Sequence, residues 1–340
     1  MKKIIAAVLS VLMMLSVLSG CGSAASSAAP SAPASETGEP SQKAESYRVA
    51  VVQQLDHASL DEIREAVEAQ LKAASADGMA IEVESFSGQN DATVLNQIGS
   101  QIVSGGYDAV LPIATLAAQC MVTAVEDTDI PVIYAAISDP EAAGLTGIEN
   151  VTGTSDALNT SFILDMMLRV NPEIQCVGLL YSNSEANSAT PIAEAKKYLD
   201  EKGISYVEKT GNTTDEILTA AASLVGQADA VFTPTDNVVM AAESAVAETL
   251  AGAGIPHYTG ADSFVTAGAF ATCGVNYTEL GTYTADMAVK ILQGGEVPEF
   301  HVMDGGIITV NTETAAALGL DYSAFSEMAG QVVEVQTAAE

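Results

Sequence analysis

The sequence predicts an α/β fold of two similar doubly wound parallel-sheet lobes, joined by a hinge with a ligand cleft between them. Three observations predict it. Short apolar strands alternate with amphipathic helices from Tyr47 onward, the alternation returns about 120 residues later, and local sequence returns with it.

The alternation is preceded by a segment that reads as targeting rather than fold. Lys2 and Lys3 lead into an apolar run from Ile4 to Leu18, which is short for a bilayer span and fits a signal peptide. Leu18-Ser19-Gly20-Cys21 places small residues before a cysteine, an order that resembles the bacterial lipobox. Residues 1–20 are therefore expected to be a lipoprotein signal peptide and Cys21 the lipidated anchor. Residues 21–46, rich in Ser, Ala, Pro and Gly, bury too little apolar surface to order themselves and read as a flexible linker. No later apolar run is long enough to cross a bilayer, so membrane contact is expected through the anchor alone.

From Tyr47 the first set of elements follows in order. Tyr47 to Gln53 is an apolar strand, and Ser59-Leu60-Asp61-Glu62 reads as a capping box opening a helix with Ile63, Val67 and Leu71 at helical spacing. Ala80 to Glu84 is a strand. Asp91 caps a helix carrying Val94, Ile98 and Ile102, which Gly105-Gly106 closes. Asp108 to Ile113 is a strand, Leu116 to Val125 a helix and Pro131 to Ala136 a strand.

The second set repeats the order. Strands are expected at Cys176 to Tyr181, Ser205 to Lys209, Ala230 to Thr233 and His257 to Gly260. Helices are expected at Pro191 to Leu199, Thr214 to Val225 and Val238 to Leu250. Asp108-Ala109-Val110 is echoed by Asp229-Ala230-Val231, and Ile130-Pro131 by Ile255-Pro256. Uninterrupted apolar strands between helices imply parallel sheets covered on both faces.

Ligands of open α/β sheets bind beyond the carboxyl ends of the strands. The loops there are polar in both halves. The first half offers Gln54, His57, Ala114, Thr115, Ser138 and Asp139; the second offers Ser182, Ser184, Glu185, Asn187, Thr235, Asp236, Asn237 and Asp262. One such residue is most simply a cap or turn former. Six polar loops turned to one gap read better as a ligand site.

Those loops carry a resemblance. His57-Ala58-Ser59-Leu60-Asp61, Ala114 through Gln119, Ser138-Asp139-Pro140, Asn150 through Gly153, Ser182 through Ser188, Pro234 through Asn237 and Gly274 through Tyr277 resemble the substrate-binding lipoproteins of bacterial ABC importers. The likeness is to the type I periplasmic-binding-protein group associated with tryptophan and tyrosine uptake. It spans Tyr47 to about Leu320. Leu116, where the resemblance leads one to expect proline, and Asn276, where aspartate is expected, depart from the pattern. The resemblance implies three crossings between lobes, with residues 47–156 and 276–298 in the first and 157–275 and 299–335 in the second. It also implies an ABC permease as partner and a protein held outside the cytoplasm at the membrane surface.

Composition narrows the solute. Lys+Arg of 12 against Asp+Glu of 44 gives a net charge of −32, which repels phosphate backbones and excludes nucleic acid as a partner. The three arginines, Arg48, Arg64 and Arg169, lie off the cleft loops, so strongly anionic solutes lack their usual bidentate partner. Hydroxyls and helix starts suit one carboxylate, and Asp236, Asp262 or Glu185 suits an ammonium. A zwitterionic amino acid, aromatic by the family resemblance, is the expected ligand. A neutral sugar or nucleoside is the alternative, disfavoured by the absence of Trp; a ligand-sensing lobe remains a third reading.

His57, His257 and His301 are scattered, so no metal site or cofactor is expected. Cys120, Cys176 and Cys273 lack metal spacing and read as core residues. No nucleophile stands with a base, and an enzyme is not expected. A monomer is.

Overall fold

The computed structural model describes residues 46–76 and 78–338. The expected signal peptide, Cys21 and the linker to residue 45 lie outside them. The first half runs β1 (Ser46–Gln53), α1 (Ala58–Ala76), β2 (Ala80–Ser87), α2 (Ala92–Gly105), β3 (Ala109–Ile113), α3 (Thr115–Val125), β4 (Val132–Tyr134) and β5 (Val151–Ser155). The second runs α4 (Thr160–Val170), β6 (Cys176–Tyr181), α5 (Ala189–Lys202), β7 (Ser205–Thr210), α6 (Thr214–Leu224), β8 (Ala230–Thr233), α7 (Asn237–Met240), α8 (Glu243–Gly252), β9 (His257–Thr259), α9 (Asp262–Thr266) and β10 (Ala271–Gly274). Then follow α10 (Tyr277–Leu292), β11 (His301–Val302), β12 (Ile307–Asn311), α11 (Thr312–Leu318), α12 (Phe325–Met328) and β13 (Gln331–Val335).

Two sheets result, ordered β11-β5-β4-β3-β1-β2 and β13-β12-β10-β9-β8-β6-β7. Their centres have the same topology, with the first strand of each half flanked by its second and third. All pairings are parallel except that of β10 with β12. Fully buried strands such as Ala109–Ile113 and Ala230–Thr233 carry the unbroken apolar character that helices on both faces demand.

The repeated sequence has a structural cause. Asp108 precedes β3, donates its N–H to Arg48 O and accepts Arg48 N–H on Oδ2 at 2.7 Å. Asp229 does the same before β8, with its N–H on Cys176 O and its Oδ2 taking Cys176 N–H at 2.9 Å. Each carboxylate pins the entry of its half's first strand. The prolines match too: Val110 N–H reaches Pro131 O at 3.0 Å and Val231 N–H reaches Pro256 O at 2.9 Å. A proline can accept there although it could not donate.

Helix ends follow the sequence except at α1 and at the break between α7 and α8. Asp91 caps α2 through Thr93 N–H, and Gly106 closes it at φ 68°. The capping box expected at Ser59–Glu62 does not form, because both side chains have tertiary partners. Ser59 Oγ meets Ser263 Oγ, and Glu62 Oε1 accepts from Thr278 Oγ1 at 2.6 Å. The helix expected from Val238 to Leu250 is broken into α7 and α8; just past the break, buried Glu243 meets His257 Nδ1 at 2.9 Å. Cys120 and Cys273 are buried and Cys176 half-buried, all with free thiols.

The chain leaves the second sheet after β10, and α10 lies along α1 at the first. Gly281 makes that approach close: a Cβ there would stand 2.6 Å from Ile63 O and 2.8 Å from Ala66 Cβ. Thr284 Oγ1, one helical turn on, is 2.7 Å from Thr154 Oγ1 of β5. The return to the second sheet comes later than the expected residue 299, because β11 pairs His301 with Thr154 and extends the first sheet to Val302. Gly281→Ala should separate α1 from α10 and lower unfolding free energy by about 1–3 kcal/mol, as overpacked contacts do. Urea unfolding measures it, and an unchanged midpoint contradicts the close-packing account.

Candidate functional site

The carboxyl ends of β1, β3, β4 and β5 face those of β6, β8 and β9 across a small cavity. Thr115 of the first half and Asp236 of the second both line it. The walls are joined directly. Gln54 Nε2 donates to Glu185 Oε1 at 2.8 Å, Ser138 Oγ lies 2.9 Å from Thr235 Oγ1, and His57 Nε2 lies 3.0 Å from Asn237 Oδ1. Thr190 Oγ1 donates to Asp139 Oδ2 at 2.7 Å, closing the series with the Ser59–Ser263 contact. This is a closed cleft.

Helix α3 points its start at the cavity. Ala114 precedes it with no side-chain cap, and Thr115 lines the wall. The partial positive charge of an uncapped helix start favours an anion. Ala114 sits at φ 75° and ψ 163°, and Ala136, also on the wall, at φ 57°. Left-handed backbone costs a residue bearing a Cβ about 1–3 kcal/mol and gathers at functional sites. Leu116 N–H, which a proline would lack, donates to Gln54 Oε1 at 3.0 Å. Asn276, the second departure from the family pattern, caps α10 through Glu279 N–H as an aspartate would.

A carboxylate that the sequence reading passed over stands in the same wall. Asp156, just past β5, is 6 % exposed and accepts from Ser138 Oγ and Tyr277 OH, each at 3.0 Å. Among the described residues no Lys or Arg lines the cavity. Burial therefore pushes the Asp156 carboxyl above its ordinary range, against the two hydrogen bonds that hold it down. Leu60 from α1 and Met240, Ala261 and Phe264 from the second half supply apolar wall.

Of the residues expected at the site, His57, Ala114, Thr115, Ser138, Asn187, Thr235, Asp236 and Asn237 line the cavity. Asp236 does so with its oxygens already engaged, by Val238 and Val239 N–H on Oδ1 and by Ser182 N–H and Ser188 Oγ on Oδ2. Those four bonds brace the second wall. Gln54, Asp139, Ser182, Ser184, Glu185 and Asp262 do not line the cavity. Gln54 and Glu185 bond one another behind it, Asp139 bridges to Thr190, and Ser182 and Ser184 turn to each other at 2.7 Å. Asp262 heads α9, with Oδ1 shielded and unpartnered among the described residues.

The chain resembles known proteins in sequence and in fold. A family model described as ABC transporter substrate binding protein matches residues 48–333. A tyrosine-binding protein of Clostridioides difficile (strain R20291) is 31% identical over 280 residues, covering 80% of this chain and 81% of that protein. The structure of an ABC domain in complex with L-Trp from Streptococcus pneumonia aligns with TM-score 0.79 at 28% identity, over 85% of this chain and all (100%) of that one. The ligand-free, open structure of a substrate binding protein with adhesive properties from Clostridium difficile is more similar in sequence, at 32%, yet aligns with TM-score only 0.65, over 86% of this chain and 100% of that one. Greater likeness to a liganded structure than to an open one of higher identity accords with the bonds across the cleft.

Burial raises five carboxyls, Asp156, Glu185, Asp236, Glu243 and Asp262, and so gives the molecule a pH dependence. Burial, and then the Asp236 charge, raise Glu185 from 4.5 to about 7; burial, and then Glu62, raise Asp262 from 3.8 to about 6. The folded chain thus holds more protons than the unfolded one between these values, and stability falls as pH rises through 7. His57 is shifted down, chiefly by burial, so its opposing effect is confined below its ordinary 6.5. The melting temperature should rise by roughly 2–4 °C for each kcal/mol gained as pH drops from 8 to 6.5. Scanning calorimetry checks this; Glu185→Ala should flatten the slope, and an unflattened slope would assign it elsewhere.

Proposed function

We infer the function from a premise already in hand: the chain belongs to the ABC transporter substrate binding protein family. Members of that family are binding proteins that work outside the cytoplasm with a permease. The solute captured here, we propose, is an aromatic amino acid.

The observation that carries this reading is Asp156, a buried carboxylate with no Lys or Arg beside it among the described residues, in one cavity with the start of α3, where Ala114 supplies no side-chain cap. A zwitterion answers both ends. Its ammonium pairs with Asp156 and offsets the burial that disfavours that carboxylate, and its carboxylate takes the helix start beside Thr115. The apolar wall of Leu60, Met240 and Phe264 receives the side chain. The relatives that bind tyrosine and L-Trp support the aromatic choice.

The solute reaches groups on both lobes only when the cleft is closed. It therefore shifts the population toward closure by its differential affinity for that state, and the permease can distinguish loaded from empty protein. Residues 1–20 serve as the leader in this account, and Cys21 carries the lipid that keeps the protein at the membrane. Replacing Cys21 with Ala should release the chain from the membrane fraction; retention there would remove the anchor from the proposal.

Calorimetric titration with the standard amino acids should find an aromatic one binding at micromolar Kd or tighter, about −8 kcal/mol. Asp156→Asn should weaken it by ten- to a hundredfold, the ~1.5–3 kcal/mol of a charged hydrogen bond. Binding of a neutral sugar or nucleoside, with no amino acid bound, would end the proposal.

A further inference from the structure

His57 stands at the head of α1 and lines the cavity. The bonds behind it decide which ring nitrogen carries the proton. A main-chain N–H can only donate, so Leu116 N–H at 3.0 Å identifies the Gln54 oxygen. Gln54 Nε2 then donates to Glu185 Oε1 at 2.8 Å, and Asn237 Nδ2 donates to Glu185 Oε2 at 2.6 Å. Asn237 is left facing His57 with its carbonyl Oδ1, 3.0 Å from Nε2. Nε2 must therefore be the N–H. Burial holds the ring below its ordinary 6.5, in the neutral form where the other nitrogen is a bare acceptor.

That acceptor is Nδ1. His57 is half-buried as a residue, but Nδ1 is shielded from solvent and no described residue donates to it. Leaving a buried acceptor unmet costs roughly 1–3 kcal/mol. Most buried polar atoms have a partner, and this one belongs to a residue of a ligand cavity. The Asp156 end of the cavity is bonded to Ser138 and Tyr277, whereas His57 is bonded to Asn237, so the two are separate contacts on one wall.

We propose that His57 determines specificity, its Nδ1 accepting a hydrogen bond from an N–H or O–H on the ligand's own ring. The inference rests on the reading that the cleft takes an aromatic amino acid. It divides that class: a phenol or an indole brings a donor, and an unsubstituted benzyl side chain brings none. Discrimination by an orphaned polar group is stronger than discrimination by shape alone.

Tyrosine and phenylalanine share ammonium, carboxylate and ring, so comparing them isolates the donor. At pH 8, where Glu185 is ionised, titration calorimetry should show L-Tyr or L-Trp binding ten- to a hundredfold tighter than L-Phe, from the ~1–3 kcal/mol of the unmet acceptor. His57→Leu should erase the ratio by weakening L-Tyr or L-Trp more than L-Phe, whatever the loss of the His57–Asn237 bond costs both. Nitrogen-15 spectra of the wild-type protein at the same pH give a reading independent of any variant: His57 should carry its proton on Nε2, and its Nδ1 signal should shift when L-Tyr or L-Trp is added. Equal binding of L-Phe, a preserved ratio in His57→Leu, or a proton on Nδ1 overturns the proposal. If no aromatic amino acid binds, the amino-acid reading falls first; if they bind without discrimination, only the role of His57 falls.

Discussion

Polar atoms buried at facing strand ends need partners, and here they find them across the cleft. Gln54 meets Glu185, Ser138 meets Thr235, and His57 meets Asn237, each pair drawn from both lobes. A hydrogen bond of this kind nets only about 0.5–1.5 kcal/mol, because water would otherwise supply it. A handful of them can align two lobes without locking them. Closure is then close enough to balance for a solute to tip it, since a ligand moves an equilibrium only by its preference for one state. The weakness of each contact is what makes the cleft responsive.

The walls, by contrast, are rigid. Asp236 has no side-chain exposure to speak of and accepts four internal bonds, which fix the 182–188 loop against the start of α7. In the opposite wall Ala114 and Ala136 sit in left-handed backbone that a glycine would adopt more cheaply. The surrounding structure holds them there: Ala114 N–H is bonded to Ala135 O at 3.0 Å and Ala114 O takes Ala118 N–H at 3.0 Å. Strain in one wall and saturated hydrogen bonding in the other serve the same end. Groups that meet the solute do not have to be ordered by it.

Most of the architecture was legible because apolar runs and helical spacing report burial directly. Strands such as Cys176–Tyr181 and Ala230–Thr233 begin and end where composition places them. The echoed Asp-Ala-Val was legible as a repeat, though only the bonds from Asp108 and Asp229 to the first strands explain it. The site was harder, for a physical reason. Ser, Asp and Asn at a strand end cap helices, brace loops or face a cavity with the same side chain, and local sequence does not separate these fates. Ser59 looked like a cap and instead touches Ser263; Asp236 both lines the cavity and caps α7. Asp156 and Tyr277 join only because α10 returns to the first lobe, a long-range event that no periodicity records. Leu60 and Phe264 are apolar and buried; that they also border a cavity depends on the lobe opposite.

Leu116 shows how a departure from a family pattern can alter chemistry at a distance. A proline at that position would suit the first turn of a helix, where the missing N–H is usually no loss. Here the N–H is used, and it orients the Gln54 amide. That amide and the Asn237 amide both donate to Glu185, and Asn237 in turn presents its oxygen to His57. That main-chain hydrogen and the ionised Glu185 carboxylate, which can only accept, together set these otherwise ambiguous amides, and the series ends at a ring nitrogen in the cavity. The state of the histidine is consequently a property of the loops behind the wall as much as of the wall itself.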